Sequence, residues 1–272
     1  IAPERGAELG ERIFGAGRWT ISASHTEANF WAVPPDKAVF LPYAGLASLW
    51  SLAFAGFHLI DAASRRQRLP RTPGQTYINC GDVWAQQRLG DYIAYARSLF
   101  HADKPWPSGL ATPRADAPLN SVDGRVNNLF FGALSWIILH EIGHVHHDHI
   151  KLAPADVRVR QEYEADGFAT RWILAQAGSG RRREFRVLMI SVALTWLFLN
   201  ELEKGRSPTH PAAILRFREA VEKFGMGRRS AGLENAAYLF KAVLDPATPS
   251  PPFETPRGYF KWVRGRLETL FP

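Results

Sequence analysis

The chain has 272 residues, 46% of them apolar, with 33 Lys plus Arg against 26 Asp plus Glu and a formal net charge of +7. That composition is globular and rich enough in apolar side chains for a well-filled core, which excludes disordered and collagen-like classes. The single cysteine, Cys80, cannot crosslink its own chain, so a disulfide scaffold is excluded and a reducing compartment, the cytoplasm, is expected.

The first residues, Ile1-Ala2-Pro3-Glu4-Arg5, show neither an initiator methionine nor the charged-then-apolar pattern of a signal peptide. Short alternating runs follow, as in Arg18-Trp19-Thr20-Ile21-Ser22 and Lys37-Ala38-Val39-Phe40-Leu41, and predict two or three short strands. From Tyr43 onward the apolar spacing turns helical. It predicts helices over Tyr43 to Ile60, Val83 to Phe100, Asn128 to His149, Asp156 to Ala177, Arg183 to Glu203, Pro211 to Phe224, Leu233 to Leu244 and Tyr259 to Leu270. Gly178, Gly205 and Gly225 stand where helix C-termini are expected. The proline-rich segments Ala102 to Leu119 and Asp245 to Pro256 read as surface loops rather than domain linkers. The expectation is one α+β domain, predominantly helical, over residues 1–272.

Two apolar stretches raise the question of a membrane. Ala38 to Ile60 has no formal charge and is followed by Arg65, Arg66 and Arg68, as on a cytoplasmic membrane flank. Pro42, Ser48, Ser51 and His58, with the many small residues between them, suit close packing inside a protein, so a buried helix is expected. Val187 to Leu199 is shorter than a bilayer crossing and reads as a central core helix.

The chemistry concentrates in Leu139-His140-Glu141-Ile142-Gly143-His144, an H-E-x-x-H motif inside a hydrophobic helix. Residues four apart share a helix face, so His140 and His144 can direct ring nitrogens at one cation about 2.0–2.1 Å away. Glu141, one residue round the helix, is placed to act as general base on an attacking water. A hydrolytic zinc site needs a third protein ligand. His147 lies roughly 10 Å along the helix axis from His140, too far to share one ion. His147 and Ile150 also stand where a metzincin would have Gly and His.

The better candidate is in Gln161-Glu162-Tyr163-Glu164-Ala165-Asp166. If the first helix ends near Ile150 and an antiparallel one starts near Asp156, His144 and Glu162 stand six residues to either side of the turn, at matching height. Asp166, one turn beyond Glu162, is then level with His140 and can accept from its free ring N–H. Glu164 is expected to point elsewhere, at the surface. His146, His147 and His149 read as a polar helix end favoured by the dipole, and Gly143 as a site of close approach by substrate or a neighbouring helix.

H-E-x-x-H followed by E-x-x-A-D on a second helix resembles the gluzincin class of zinc metallopeptidases. Within that class, Leu139 to His144 with Glu162 to Ala169 is most like the Lit-type phage-exclusion peptidases. It is also similar to the membrane-embedded peptidases that process prenylated proteins and, less closely, to ImmA-type peptidases that cut repressors. The expected architecture is a helical zinc-peptidase core with the small N-terminal β-sheet packed on it. The resemblance implies that His140, His144 and Glu162 hold Zn²⁺, that Glu141 is the general base, and that Asp166 orients a ligand. An intracellular protein substrate and a role in phage defence follow from the same analogy. His210-Pro211-Ala212-Ala213-Ile214-Leu215-Arg216 resembles an H-P-x-x-x-x-R element downstream of the zinc helices in the first two families. His210 either donates to the oxyanion of the reaction or merely caps a helix that begins at Pro211.

Basic residues gather at Arg65, Arg66 and Arg68, at Arg181-Arg182-Arg183 with Arg186, and at Arg228 with Arg229, and the sequence pI is about 9.7. Such a balance admits an anionic membrane surface or nucleic acid as partner. No C-x-x-C finger, RNA-binding aromatic signature or P-loop accompanies these clusters, which disfavours nucleic acid. The expected function is therefore a zinc metalloendopeptidase acting on protein. The alternative is a basic nucleic-acid-binding module whose metal site is structural or vacant.

Overall fold

The computed structural model describes residues 2–15, 17–67 and 81–272. Arg68 and Cys80 lie outside the described residues, as does the side chain of Arg66. After a short helix α1 (Gly6–Leu9), three strands form one small sheet: β1 (Thr20–Ser24), β2 (Trp31–Val33) and β3 (Ala38–Pro42). The order is β1-β3-β2, with β1 parallel to β3 from the Thr20–Ala38 pair onward and β2 antiparallel to it. Trp31 opposes Phe40 across the antiparallel pair, their rings stacked 5.0 Å apart, a cross-strand contact of the kind that sets register.

The remainder is helical: α2 (Tyr43–Gln67), α3 (Gly81–Gln86), α4 (Leu89–Ser98), α5 (Val122–His146), α6 (Ala155–Leu174), α7 (Arg181–Lys204), α8 (Ala213–Phe224), α9 (Ala231–Leu244) and α10 (Pro256–Leu270). The predominantly helical α+β class expected from the sequence is the one observed. Buried apolar side chains from Ile13 to Phe271 form a contiguous cluster, with α7 packed between α5 and α9.

Several boundaries differ from the sequence reading for identifiable reasons. The helix expected over Val83 to Phe100 is broken at Arg88, whose φ of +51° is left-handed and whose guanidinium donates to Gly109 O at 2.8 Å and to Asp91 at 2.7 Å. Helix α5 starts at Val122 because Ser121 Oγ accepts from Gly124 N at 3.0 Å, an N-cap. The same device moves α9 and α10 upstream, with Ser230 and Thr255 as caps. Gly205 and Gly225 end α7 and α8 with φ of +77° and +59°, whereas Gly178 lies within the loop after α6 rather than at its cap.

The charge-free stretch from Ala38 runs through β3 into α2. The run Val187 to Leu199 belongs to α7, a helix of 24 residues and so longer than the run alone implies. Both α2 and α7 are long and apolar enough to cross a membrane, and both are mostly buried inside the protein. The arginine cluster opening α7 is not a solvated face throughout. Arg183 donates to the carbonyls of Phe224, Lys223 and Leu174, and Arg186 is buried on Ile173 O and Glu4.

Candidate active site

Helices α5 and α6 are antiparallel neighbours, and their close approach is set by Gly143. A Cβ at this position would stand 3.1 Å from Ala165 Cα, a tight contact, so glycine lets the two backbones meet at this distance without displacing either helix. The close approach expected at Gly143 is therefore that of a neighbouring helix. It brings three side chains to one point. His140 Nε2 lies 3.1 Å from His144 Nε2 and 3.4 Å from Glu162 Oε2, and His144 Nε2 lies 3.5 Å from Glu162 Oε1. All three offer donor atoms within 4.8 Å of one another.

This donor set fits a metal. Two donors about 2.05 Å from a tetrahedral ion stand roughly 3.3 Å apart, which is the spacing seen. Glu162 Oε2 is buried with no hydrogen bond, the Arg216 guanidinium standing 3.7 Å away, and a metal cation between it and the imidazoles would satisfy it directly. His140 Nδ1 lies 2.9 Å from Asp166 Oδ1. A carboxylate only accepts, so that nitrogen carries a proton and Nε2 is free to face a cation. Burial opposes charging His140, yet the neighbouring Asp166 and Glu162 carboxylates prevail and hold it up to about 10. Burial, together with the charge on His140, pushes His144 down to about 3. The same carboxylates that favour a proton on His140 Nε2 would favour a metal cation in its place.

Around this centre the remaining groups fall into place. Asp166 is buried and takes two hydrogen bonds of 2.7 Å from Arg216 of α8, which outweigh burial and hold its carboxyl below the usual range. Arg216 Nη1 also stands 3.7 Å from Glu162 Oε2. Burial and Coulombic repulsion from Glu162 push the Glu141 carboxyl up, against the pull of His140 and Arg216, to about 7. Glu141 Oε1 is 4.0 Å from His140 Nε2, and the backbone of Ala32 in β2, the edge strand packed on α5, counters the rise of its carboxyl. Trp136 stacks over His140 at 5.9 Å and is itself anchored by donating from Nε1 to Thr170 Oγ1 at 3.0 Å.

His210 is half-exposed, with Nε2 3.3 Å from Glu162 Oε1 and Nδ1 3.0 Å from both Ser207 Oγ and Thr209 Oγ1. It does not cap α8. That helix begins at Ala213 with Ala212 as its cap residue, and Glu201 accepts from Ala213 N. A cleft of about 300 Å³ opens beside these groups, lined by Phe30, Trp136, Trp196, Asn200, Lys204 and His210 among others.

Every residue singled out in the sequence, His140, Glu141, His144, Glu162, Asp166 and His210, is brought to this locus. Three contributors had no role assigned from sequence. Arg216 was visible only as the last letter of the H-P-x-x-x-x-R element. His149, read as part of a polar helix end, is instead buried against His144, and Glu164, half-exposed, is bonded to it. His149 stands three residues beyond the end of α5, where helix periodicity has no bearing.

A family model for Peptidase U49 matches residues 39–236, well over half of the chain and all of the site. The chain is similar to the Cell death peptidase of Escherichia coli (strain K12), 32% identical over 126 residues, which are 45% of this chain. The match spans 42% of that relative's length. No solved structure matches the chain.

Proposed function

The chain belongs to the Peptidase U49 family, and from that membership and the geometry at His140, His144 and Glu162 we propose that it is a zinc-dependent endopeptidase cleaving an intracellular protein. The observation that carries this reading is the convergence of two imidazole Nε2 atoms and one carboxylate, with Glu162 Oε2 buried and lacking a hydrogen bond. His140, His144 and Glu162 would hold the zinc, which would supply Lewis acidity toward the scissile carbonyl and a bound water.

The protein's own groups do the rest. Glu141 takes the proton of the attacking water as its oxygen bonds the carbonyl carbon, then returns that proton to the amide nitrogen as the C–N bond breaks. His210, on the open side of Glu162, donates an N–H to the carbonyl oxygen as negative charge develops there. Asp166 fixes the ring of His140, and Arg216 fixes Asp166. No covalent intermediate is needed.

The resemblance to phage-exclusion peptidases supports an intracellular protein as substrate and a role in phage defence. The name of the Escherichia coli relative, Cell death peptidase, supports peptidase activity, and the cysteine usage and basic clusters support the cytoplasm or an anionic membrane surface. Against the nucleic-acid alternative, two of the clustered arginines, Arg183 and Arg186, are engaged by internal carbonyls and Glu4. The test is Glu141→Gln. It is expected to retain zinc and to lose hydrolysis of cell-extract proteins, and cleavage at the wild-type rate would overturn the mechanism.

A further inference from the structure

The chain leaves α5 through a turn that ties it back to the site. His147 is the C-cap, Asp148 adopts a left-handed φ of +52°, His149 N donates to His144 O at 3.0 Å and Asp148 N to Val145 O at 3.2 Å. This pair of bonds is the Schellman pattern, in which the residue after the left-handed one commonly packs an apolar side chain against the residue five earlier. Here that contact is polar. His149 Nδ1 lies 2.9 Å from His144 Nδ1, and His149 Nε2 lies 3.0 Å from Glu164 Oε2. His149 is 7% exposed, with the ring of His147 stacked on it at 5.5 Å.

The direction of the relay follows from its outer end. A carboxylate only accepts, so Glu164 takes the Nε2 proton of His149. In the neutral ring Nδ1 then presents a lone pair, and His144 must donate to it from Nδ1–H. That leaves the lone pair of His144 on Nε2, facing Glu162 and His140. We propose that His149 is a positioning residue, held by the helix-ending turn, that fixes the tautomer and ring orientation of His144, while Glu164 fixes that of His149. The site is thus braced on both histidines, by Asp166 and Arg216 behind His140 and by His149 and Glu164 behind His144. This rests on reading His144 as a zinc ligand.

The test measures zinc affinity by chelator competition, alongside the imidazole N–H resonances of protein labelled with ¹⁵N-histidine. His149→Leu keeps an apolar group where the Schellman turn favours one, so the metal-free fold is retained. It is expected to weaken zinc 10–100-fold, as loss of an outer partner of a ligating histidine does, and to lose the slowly exchanging Nδ1 proton of His144. His149→Asn puts Oδ1 where Nδ1 was and is expected to recover most of the affinity. Glu164→Ala, at a half-exposed position that folding tolerates, is expected to fall between the two. Wild-type affinity in His149→Leu, or a His144 proton on Nε2 in the wild type, overturns the inference. If His144→Ala still abolishes binding in that case, the metal reading stands without it. A wild type that binds no zinc overturns both.

Discussion

Arg216 and Asp166 form a buried two-point ion pair, Nε and Nη2 each 2.7 Å from a different carboxylate oxygen, and the oxygen nearer Nη2 also meets His140 Nδ1. Helix α8 thereby reaches through α6 to orient a side chain of α5. Removing one partner of such a pair strands the other charge in the interior, which costs about 3–5 kcal/mol. Arg216→Leu is expected to lower the metal-free protein's stability in urea by that much, and the Arg216→Leu, Asp166→Leu double variant to recover most of it. A loss under about 1 kcal/mol would show that Asp166 does not depend on Arg216.

Gly143 offers a second test of how the site is built. Replacing a mid-helix glycine by alanine ordinarily gains about 1 kcal/mol. Here the new Cβ meets Ala165 Cα at 3.1 Å, a backbone atom that yields only if α6 moves. Gly143→Ala is expected to destabilise by about 1–3 kcal/mol, the usual range for overpacking, and to weaken zinc binding because Glu162 moves with α6. A stabilised variant with unchanged affinity would contradict the spacing described.

His210 separates binding from chemistry. Because it stands beside Glu162 at the open edge of the site, His210→Ala is expected to keep zinc and to lower kcat by about 10²–10³, the usual loss on removing one oxyanion donor. A drop under about threefold in kcat would assign it no catalytic part.

Away from the site, Asp245 at the end of α9 accepts from Thr248 Oγ1 at 2.7 Å and from Arg266 Nε of α10 at 3.0 Å. Burial opposes its ionisation, but these bonds and the nearby Lys241 prevail and hold the folded carboxyl below the ordinary 3.8. A carboxylate depressed in the folded state adds stability that is complete above the unfolded value and is lost as pH falls through the folded one. Stability is therefore expected to decline below about pH 4 with a slope that Asp245→Asn reduces. An unchanged slope in that variant would place the acid sensitivity elsewhere.

Much of the site was legible in the sequence because it obeys helix arithmetic. His140 and His144 are four apart on one helix, Glu162 and Asp166 four apart on the next, and the Pro154 turn between them sets an antiparallel register. The reading stopped where periodicity stops. His149 is aimed by the left-handed Asp148, and no pattern of apolar residues marks that conformation. Arg88 breaks the helix expected over Val83 to Phe100 by adopting a backbone rare for a residue with a Cβ, compensated by a tertiary bond to Gly109 and a local one to Asp91. The N-caps Ser121, Ser230 and Thr255 carried a readable signal, a hydroxyl three residues before the N–H it accepts from, and it marks those helix starts better than the first apolar residue does.

The central claim is that His140, His144 and Glu162 together hold one ion. Zinc K-edge absorption spectroscopy of the purified chain, with metal content measured on the same sample, tests it most directly. The expected result is one zinc per chain bound by two imidazole nitrogens near 2.0–2.1 Å and carboxylate oxygen near 2.0–2.2 Å, with no sulfur shell, and loss of the metal in Glu162→Ala. A zinc bound through sulfur, or full zinc content retained in Glu162→Ala, would contradict it.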